Sequence, residues 1–109
     1  AMHEGPAMYF VMDNITNSEE NIILYIGETI SSEKRWKGEH DCKSYLSSYS
    51  ETLQKANLKT KLNIRFWLDV PNDTKERREL EQELIQTWRP PFNKETRDIW
   101  GTPFTSEIK

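Results

Sequence analysis

The sequence predicts an α+β fold in which helices flank a small three-stranded antiparallel sheet, with the elements in the order β-β-α-α-β-α. Three observations lead to this prediction. Side chains alternate with a period of two in residues 7–13 and again in residues 62–70, which is typical of strands. Apolar side chains recur at helical spacing between Asp73 and Arg89. Polar or turn-forming residues separate these segments, and the chain contains neither repeats nor low-complexity stretches.

Three segments are predicted to form the strands of the sheet. The first is Ala7–Asp13, and the second covers residues 21–27. The polar residues 14–21 between them predict a long-looped antiparallel hairpin. The third segment, residues 62–70, alternates most regularly, and Pro71 is predicted to end it.

Two helices are predicted between the second and third strands. Ser32 is the predicted N-cap of a short helix that runs through Lys37, and Gly38 is its predicted stop. Asp41 is predicted to cap a second, longer helix. The apolar side chains of that helix fall at helical spacing, at Tyr45, Leu46, Tyr49 and Leu53.

The last predicted helix has both a start signal and a stop signal. Asp73 and Glu76, three residues apart, resemble a capping box at its beginning. Arg89 followed by two prolines ends it, since proline cannot continue a helix. Its apolar stripe consists of Leu80, Leu84, Ile85 and Trp88. Residues 94–109 form a tail without strong periodicity.

Length and composition restrict the class of protein. The 109 residues fit one small domain or part of a larger protein, at about 100–200 residues per domain. Aromatic residues make up 11% of the chain, which argues against disorder because disordered segments are poor in aromatics. No apolar run approaches the ~18 residues of a membrane-spanning helix, so we expect no membrane association.

Cysteine usage and the first residues predict an intracellular, cytoplasmic protein. The single cysteine, Cys42, cannot form an internal disulfide, and with two histidines it cannot build a structural zinc site. No signal peptide is visible at the beginning of the chain. Residues 1–6 are interpreted as an expression-derived or disordered N-terminus and are set apart from the predicted domain, residues 7–93.

Four short motifs follow one another along the chain. The first predicted strand carries Ala7-Met8-Tyr9, and the second carries Leu24-Tyr25-Ile26-Gly27. Arg35 comes ten residues after Tyr25. Glu81 lies on the last predicted helix, and Asn93 follows it by 12 positions. In this order and at these spacings, over residues 6–93, the motifs resemble the GIY-YIG nuclease superfamily.

The resemblance implies a divalent-metal-dependent endonuclease that hydrolyses phosphodiester bonds of DNA. By resemblance, Tyr9 acts on the attacking water, and Tyr25 positions the water or the phosphate. Arg35 holds the phosphate with its planar, permanently charged guanidinium. Glu81 is the implied ligand of Mg²⁺ or Mn²⁺, which needs only one or two carboxylates. Asn93 supports the site.

The chain departs from the family pattern at four places, one of which is a longer gap between the two tyrosine motifs that the polar residues 14–21 absorb at little thermodynamic cost. The family's Gly-Ile-Tyr reads Ala7-Met8-Tyr9 here, so only the tyrosine is kept. Glu28 follows the second motif, where the family often has lysine. Some members carry a histidine one helical turn after the arginine, and here His40, a candidate auxiliary residue, lies five residues after Arg35.

Each proposed site residue also has a purely structural interpretation. The two tyrosines suit half-buried strand positions, and Arg35 suits a solvated helix. Glu81 lies four residues after Arg77, a spacing that stabilises surface helices by ~0.2–0.5 kcal/mol. An amide such as that of Asn93 often ties a loop to the backbone. Other carboxylates on the same predicted helix are Glu76, Glu79 and Glu83.

Charge patterning bears on how the chain would bind DNA. The net charge is −3, which is not typical of a domain that binds nucleic acid by its own electrostatics. The local basic cluster consists of Lys34, Lys37 and Lys43, and we expect it to contact the DNA backbone. Targeting is therefore expected from a separate DNA-binding domain or a protein partner.

Two alternatives to an endonuclease stay open at this stage, and the oligomeric state is not predicted. The first is a non-catalytic module that binds nucleic acid or a partner and retains the GIY-YIG fold. The second is an unrelated α+β domain in which the motifs coincide by chance. A requirement for a divalent metal would favour the nuclease, because a binding module does not need Glu81.

Overall fold

The computed structural model describes residues 5–14, 21–31 and 40–105, which contain three strands and three helices in the order β-β-α-β-α-α. They are β1 (Ala7–Asp13), β2 (Ile22–Thr29), α1 (His40–Lys55), β3 (Leu62–Trp67), α2 (Thr74–Trp88) and α3 (Arg97–Trp100). The α+β class and the three-stranded antiparallel sheet are thus confirmed. The predicted helix from Ser32 to Lys37 lies outside the described residues.

The sheet has the strand order β2-β1-β3, so the first strand lies in the centre. Val11 pairs with Tyr25 and Met12 with Ile23, which leaves Leu24 as the extra residue of a β-bulge. Because of this bulge, Leu24 and Tyr25 both pack on the side of the sheet that Tyr9 and Val11 occupy.

The central strand divides the hydrophobic core in two, since successive side chains of a strand point to opposite faces. We call the part that α1 covers the α1-side core; its buried members are Tyr9, Val11, Leu24, Cys42, Leu46, Tyr49 and Phe92. On the other face, the α2-side core consists of Met8, Ile26 and Ile85, with Leu80 and Leu84 packed against it. Cys42 is a small buried residue of the α1-side core.

A buried carboxylate joins three elements at the end of β1. Asp13 accepts hydrogen bonds from the hydroxyl of Tyr49 on α1, at 2.5 Å, and from the backbone N–H of Lys61, at 2.6 Å. Burial and the adjacent Asp13 carboxylate raise the pKa of the Tyr49 phenol above its ordinary value. This cluster fixes α1 and the start of β3 to the central strand.

Several predicted boundaries are corrected. β2 continues to Thr29, and α1 begins at His40, so Asp41 lies inside the helix rather than at its cap. β3 ends at Trp67 rather than residue 70 because its last pair, with Met8, is already at the beginning of β1.

The predicted start and stop of α2 are confirmed. The Asp73 carboxylate accepts from the N–H of Glu76 at 3.0 Å, and Arg89 closes the helix in the left-handed conformation. Trp88, the last residue of the predicted apolar stripe, is 59% exposed, because the buried face of α2 ends at Ile85.

The C-terminal tail contributes structure that the sequence did not predict. The single turn α3 begins four residues after Asn93. Phe104 then packs against the rings of Tyr49 and Phe92, at centroid distances of 5.5 and 6.2 Å. Among the described residues, no helix is long and apolar enough to cross a membrane.

Candidate active site

The two motif tyrosines lie side by side on the α1 side of the sheet. Tyr9 pairs with Gly27, and Val11 pairs with Tyr25, so both phenols point to the same face. Their ring centroids are 6.0 Å apart, with an interplanar angle of 31°. The strand register thus brings the two tyrosines together on one face of the sheet.

Gly27 is required by the position of the first tyrosine. A Cβ atom built on Gly27 would overlap Cζ and the phenol oxygen of Tyr9. The ring therefore lies directly over the glycine, and Tyr9 is 0% exposed. This packing explains in physical terms why the second motif ends in glycine in this chain.

The outer edge of β2 is covered by the segment that follows α2. The side-chain oxygen of Asn93 accepts from the N–H of Ile26 at 2.9 Å, and its amide nitrogen donates to the carbonyl of Ile26 at 2.8 Å. The N–H of Phe92 donates to the carbonyl of Leu24 at 3.0 Å. Asn93 is 3% exposed. Its amide thus takes the place of a neighbouring strand at an edge that would otherwise be unpaired.

Glu81 binds the same edge one step further along the strand. Its Oε2 accepts from the backbone N–H of Glu28 at 2.8 Å. Burial raises the pKa of the Glu81 carboxyl, and the negative charges of Glu28 and Glu95 raise it further. Hydrogen bonds from the Glu28 N–H and from the amide of Gln82 oppose this shift. Glu81 is therefore a carboxylate whose ionised form is destabilised by its surroundings.

The residue that replaces the common lysine belongs to a different cluster. Glu28 pairs with Met8 in the register, so its side chain lies on the α2 side of the sheet, away from the tyrosines. Its Oε2 accepts from Nε of Arg77 at 2.8 Å, and its Oε1 from Nε of Arg78 at 3.4 Å. Arg77 is 1% exposed and also donates to the carbonyl of Asn72 at 2.9 Å. The charge reversal at Glu28 is thus balanced by arginines of α2.

Glu81 does not form the ion pair with Arg77 that its spacing along the helix would allow. Arg77 bonds to Glu28 across the sheet edge instead. Glu81 has the β2 backbone and Gln82 as its hydrogen-bond partners. Gln82 in turn donates to Oε2 of Glu95 at 2.7 Å.

Three of the predicted site residues line one cavity of about 360 Å³, namely Tyr25, Glu81 and Asn93. They share it with Cys42, Gln82, Ile85, Phe92, Lys94, Glu95 and Arg97. Tyr9 adjoins Tyr25 but is not among the lining residues. The cavity thus joins residues from β2, α1, α2 and the residues that follow α2.

Other predicted residues are not brought into this cavity by the described part of the chain. Arg35, Lys34 and Lys37 lie outside the described residues. His40 is the first residue of α1, and its side chain is outside the described part as well. Lys43 lines a separate open groove with Ser47, Glu51 and Leu62.

The donor set at the cavity suits a divalent cation with a large water shell. Glu81 and Glu95 are its carboxylates. Nowhere in the described segments are three or more His, Cys, Asp or Glu side chains gathered as a metal site. Mg²⁺ usually takes one or two carboxylates and keeps several waters, so two carboxylates fit it.

Sequence reasoning missed three charged residues of the cavity: Lys94, Glu95 and Arg97. The family spacing ends at Asn93, and the single turn of α3 is too short to produce a periodic pattern. A charged run directly after the Asn93 motif was the signal that could have indicated them.

The sequence model of the GIY-YIG catalytic domain matches residues 8–96, which is most of the chain. The chain therefore belongs to the GIY-YIG catalytic domain family, as the order of its motifs predicted. No curated protein and no solved structure matches it significantly. The match begins on β1 and ends just before α3, so it covers the sheet, α1, α2 and the segment after α2 that contains Asn93.

Proposed function

We propose that the chain is a divalent-metal-dependent endonuclease that hydrolyses phosphodiester bonds of DNA. The observation that carries the proposal is the shared cavity of Tyr25, Glu81 and Asn93. Tyr25 belongs to the second motif, and Glu81 and Asn93 belong to the fourth, more than fifty residues further along the chain. Their convergence on one cavity that also contains cationic side chains is the arrangement a phosphodiesterase needs.

The tyrosine pair provides the hydroxyls of the site. In the proposal Tyr9 acts on the attacking water and Tyr25 orients the water or the phosphate. Tyr25 lines the cavity whereas Tyr9 is 0% exposed, so an exchange of these two roles is the specific alternative. Substitution of each tyrosine by phenylalanine separates the two assignments.

Glu81 is the proposed ligand of Mg²⁺ or Mn²⁺, with Glu95 beside it. Burial and the neighbouring carboxylates destabilise ionised Glu81, and a bound cation would reverse this by favouring the charged form. The metal would supply polarisation of a phosphoryl oxygen and stabilisation of the leaving oxygen. Asn93 holds β2 against the segment after α2, which keeps the cavity walls in place.

Phosphate binding is assigned to Arg35, with Lys34, Lys37 and Lys43 as contacts to the DNA backbone. Preorganised positive charge at a developing phosphoryl charge is usually the largest contribution to catalysis. The net charge of −3 supports a cleavage module whose targeting comes from another domain or a protein partner.

A non-catalytic binding module is the second candidate, and one observation favours it. Glu81 and Asn93 both bond to the backbone of β2 and so have structural roles in the fold. If the chain has no activity, their hydrogen bonds to the open edge of β2 are enough to explain why both residues lie in the cavity.

Substitution of Glu81 tests the proposal directly. Glu81→Gln removes the charge but keeps a side-chain oxygen that accepts the Glu28 N–H, so the edge of β2 stays closed. We expect nicking of supercoiled DNA in Mg²⁺ to fall by ~10²–10³, the cost of losing this kind of charge stabilisation. Glu83→Gln, an exposed carboxylate on the same helix, is the matched control and should leave nicking unchanged.

Two results would contradict the assignment. A folded Glu81→Gln domain that cleaves like wild type would remove Glu81 from the metal site. Wild-type protein that binds DNA but shows no cleavage in Mg²⁺ or Mn²⁺ would support the binding module instead.

A further inference from the structure

An arginine beyond the family match lines the proposed active-site cavity. The match ends at residue 96, and Arg97 is the first residue of α3. Its partly buried side chain lines the cavity together with Tyr25 and Glu81. Arg97 is therefore a charged cavity residue to which the motif pattern assigns no role.

Two neighbouring elements fix the position of Arg97. Its Nη1 donates to the hydroxyl of Tyr45 on α1 at 2.7 Å, and its guanidinium carbon lies 5.7 Å from the centroid of the same ring. Its backbone N–H donates to the carbonyl of Asn93 at 2.8 Å. Both the backbone and the guanidinium are thus held in place before any ligand enters, which lowers the entropic cost of binding.

The charges of the cavity show what this arginine is suited to bind. Glu81 and Glu95 make one part of the wall acidic, which would repel a phosphodiester. Among the described lining residues, the cations are Lys94 and Arg97. A guanidinium is always charged, and its planar fork matches the oxygens of a phosphate.

We propose that Arg97 is a phosphate-binding residue that holds the non-bridging oxygens of a DNA phosphodiester in this cavity. The inference rests on the proposed function of the site. It assigns to the segment after Asn93 a second arginine contact, additional to Arg35. Tyr45 is the positioning residue that orients the guanidinium through its hydroxyl and its ring.

The competing interpretation is that Arg97 only ties α3 to α1 through Tyr45. A structural tie affects stability, whereas a phosphate contact affects the salt dependence of DNA binding. The slope of log K against log salt concentration is negative, and each neutralised phosphate makes it steeper by about 0.9. The slope is therefore a readout that a merely structural residue does not move.

The experiment measures DNA binding without cleavage, in the Glu81→Gln background of the 109-residue chain. Arg97→Gln is compared with Arg65→Gln, which removes an equal charge from an exposed position on β3, at the opposite edge of the sheet. The affinity for a fluorescent DNA duplex is titrated over a series of KCl concentrations. We expect Arg97→Gln to weaken low-salt binding about tenfold, as expected for a hydrogen bond to a charged group, and to make the slope shallower by about 0.9.

Arg65→Gln should leave the slope unchanged. Thermal unfolding of each variant checks the fold, and Arg97→Lys serves if Arg97→Gln does not fold, since it keeps the charge but loses the fork. For Arg97→Lys we expect an unchanged slope with weaker binding. Equal slopes and affinities for a folded Arg97→Gln protein and its background, or no duplex binding even at low salt, would overturn the proposal.

The two proposals fail in different ways. If the wild-type chain binds DNA with an Arg97-dependent slope but never cleaves it, the nuclease assignment is wrong and the Arg97 contact stands. If the chain cleaves DNA and Arg97→Gln changes neither slope nor affinity, the contact is wrong and the nuclease assignment stands.

Discussion

The two tyrosines differ in accessibility although their rings are neighbours. Tyr9 lies over Gly27 in the α1-side core, and Tyr25 lines the cavity with Glu81. A phenol that transfers a proton to or from the attacking water must reach that water. The residue-scale question is therefore which hydroxyl does so, and only substitutions that keep the ring can answer it.

Tyr9→Phe and Tyr25→Phe both preserve the ring packing and remove one hydroxyl. If Tyr9 acts on the water, Tyr9→Phe should lower the cleavage rate by ~10²–10⁴, the usual range for positioned proton transfer, and Tyr25→Phe should cost less. Thermal stability should change little in either variant. Single-turnover cleavage of a DNA duplex measures both rates. A costlier Tyr25→Phe would transfer the role to the phenol that lines the cavity.

The raised pKa of Glu81 predicts a pH-dependent stability difference. Burial, its largest cause, makes the folded state hold the Glu81 proton more tightly than the unfolded state does. The stabilisation from protonated Glu81 is thus complete below the ordinary pKa of 4.5 and is lost as the pH rises through the folded pKa. Glu81→Gln should therefore unfold at a higher temperature than wild type at pH 7, with the difference shrinking as the pH falls toward 4.5.

Mg²⁺ supplies an independent check on the same residue. It should raise the unfolding temperature of wild type at pH 7 and leave that of Glu81→Gln unchanged, because only ionised Glu81 gains from the cation. The measurement is thermal unfolding monitored by circular dichroism over a pH series. A wild type that is more stable than Glu81→Gln at neutral pH without metal would contradict the assigned cause of the shift.

At the level of elements, the β1–β2 pair depends on one close contact. The phenol of Tyr9 occupies the space that a side chain at position 27 would need. Gly27→Ala should therefore destabilise the domain by ~1–3 kcal/mol, the usual cost of overpacking, as measured by urea denaturation. In a Tyr9→Leu background the same substitution should cost less, since the colliding ring is absent. Equal costs in both backgrounds would show that the ring is not the cause.

Gly101→Ala is a useful comparison for that experiment. Gly101 has a φ of +56°, and a Cβ there would meet nothing within 4 Å. Its substitution should cost ~1–2 kcal/mol from backbone strain alone, independent of the residue at position 9.

The elements that the sequence predicted well are those whose pattern is local. Alternation identified β1, and the capping signals at Asp73 and Arg89 bounded α2 because each signal involves neighbouring residues. The contacts that close the site are not local: Asn93 bonds to Ile26, and Arg77 bonds to Glu28. No spacing rule could indicate these partners, since they meet only after β2 and α2 have packed together.

Motif spacing nevertheless predicted that Tyr25, Glu81 and Asn93 belong together, through the resemblance to a family. It could not predict Arg97, because the position of α3 follows from the Asn93 segment and from Tyr45 on α1. Trp88 is a residue that the local pattern overpredicted. It lies on the apolar stripe of α2 but is exposed, because helical spacing does not reveal where the contact between helix and sheet ends.

At the scale of the whole molecule, the cavity is assembled from parts that are distant in sequence. β2 supplies Tyr25, and α2 supplies Glu81. Asn93 and Arg97 come from the residues that follow α2. The chain around this cavity carries a net charge of −3, so the attraction to DNA must come from a small number of positive side chains.

Weak DNA binding that is lost at moderate salt is the prediction that follows from this charge balance. Non-specific dissociation constants at physiological salt are ~10⁻⁴–10⁻⁶ M for proteins that rely on phosphate contacts. We expect the Kd of the 109-residue chain to lie in this range or to be higher, which means weaker binding. Few contacts also imply a shallow slope of log K against log salt concentration. Fluorescence anisotropy with duplexes of unrelated sequence, over a series of KCl concentrations, measures both quantities. Submicromolar, salt-insensitive affinity for one particular duplex would show that this chain carries its own targeting function, and that no second domain or partner is needed to direct cleavage.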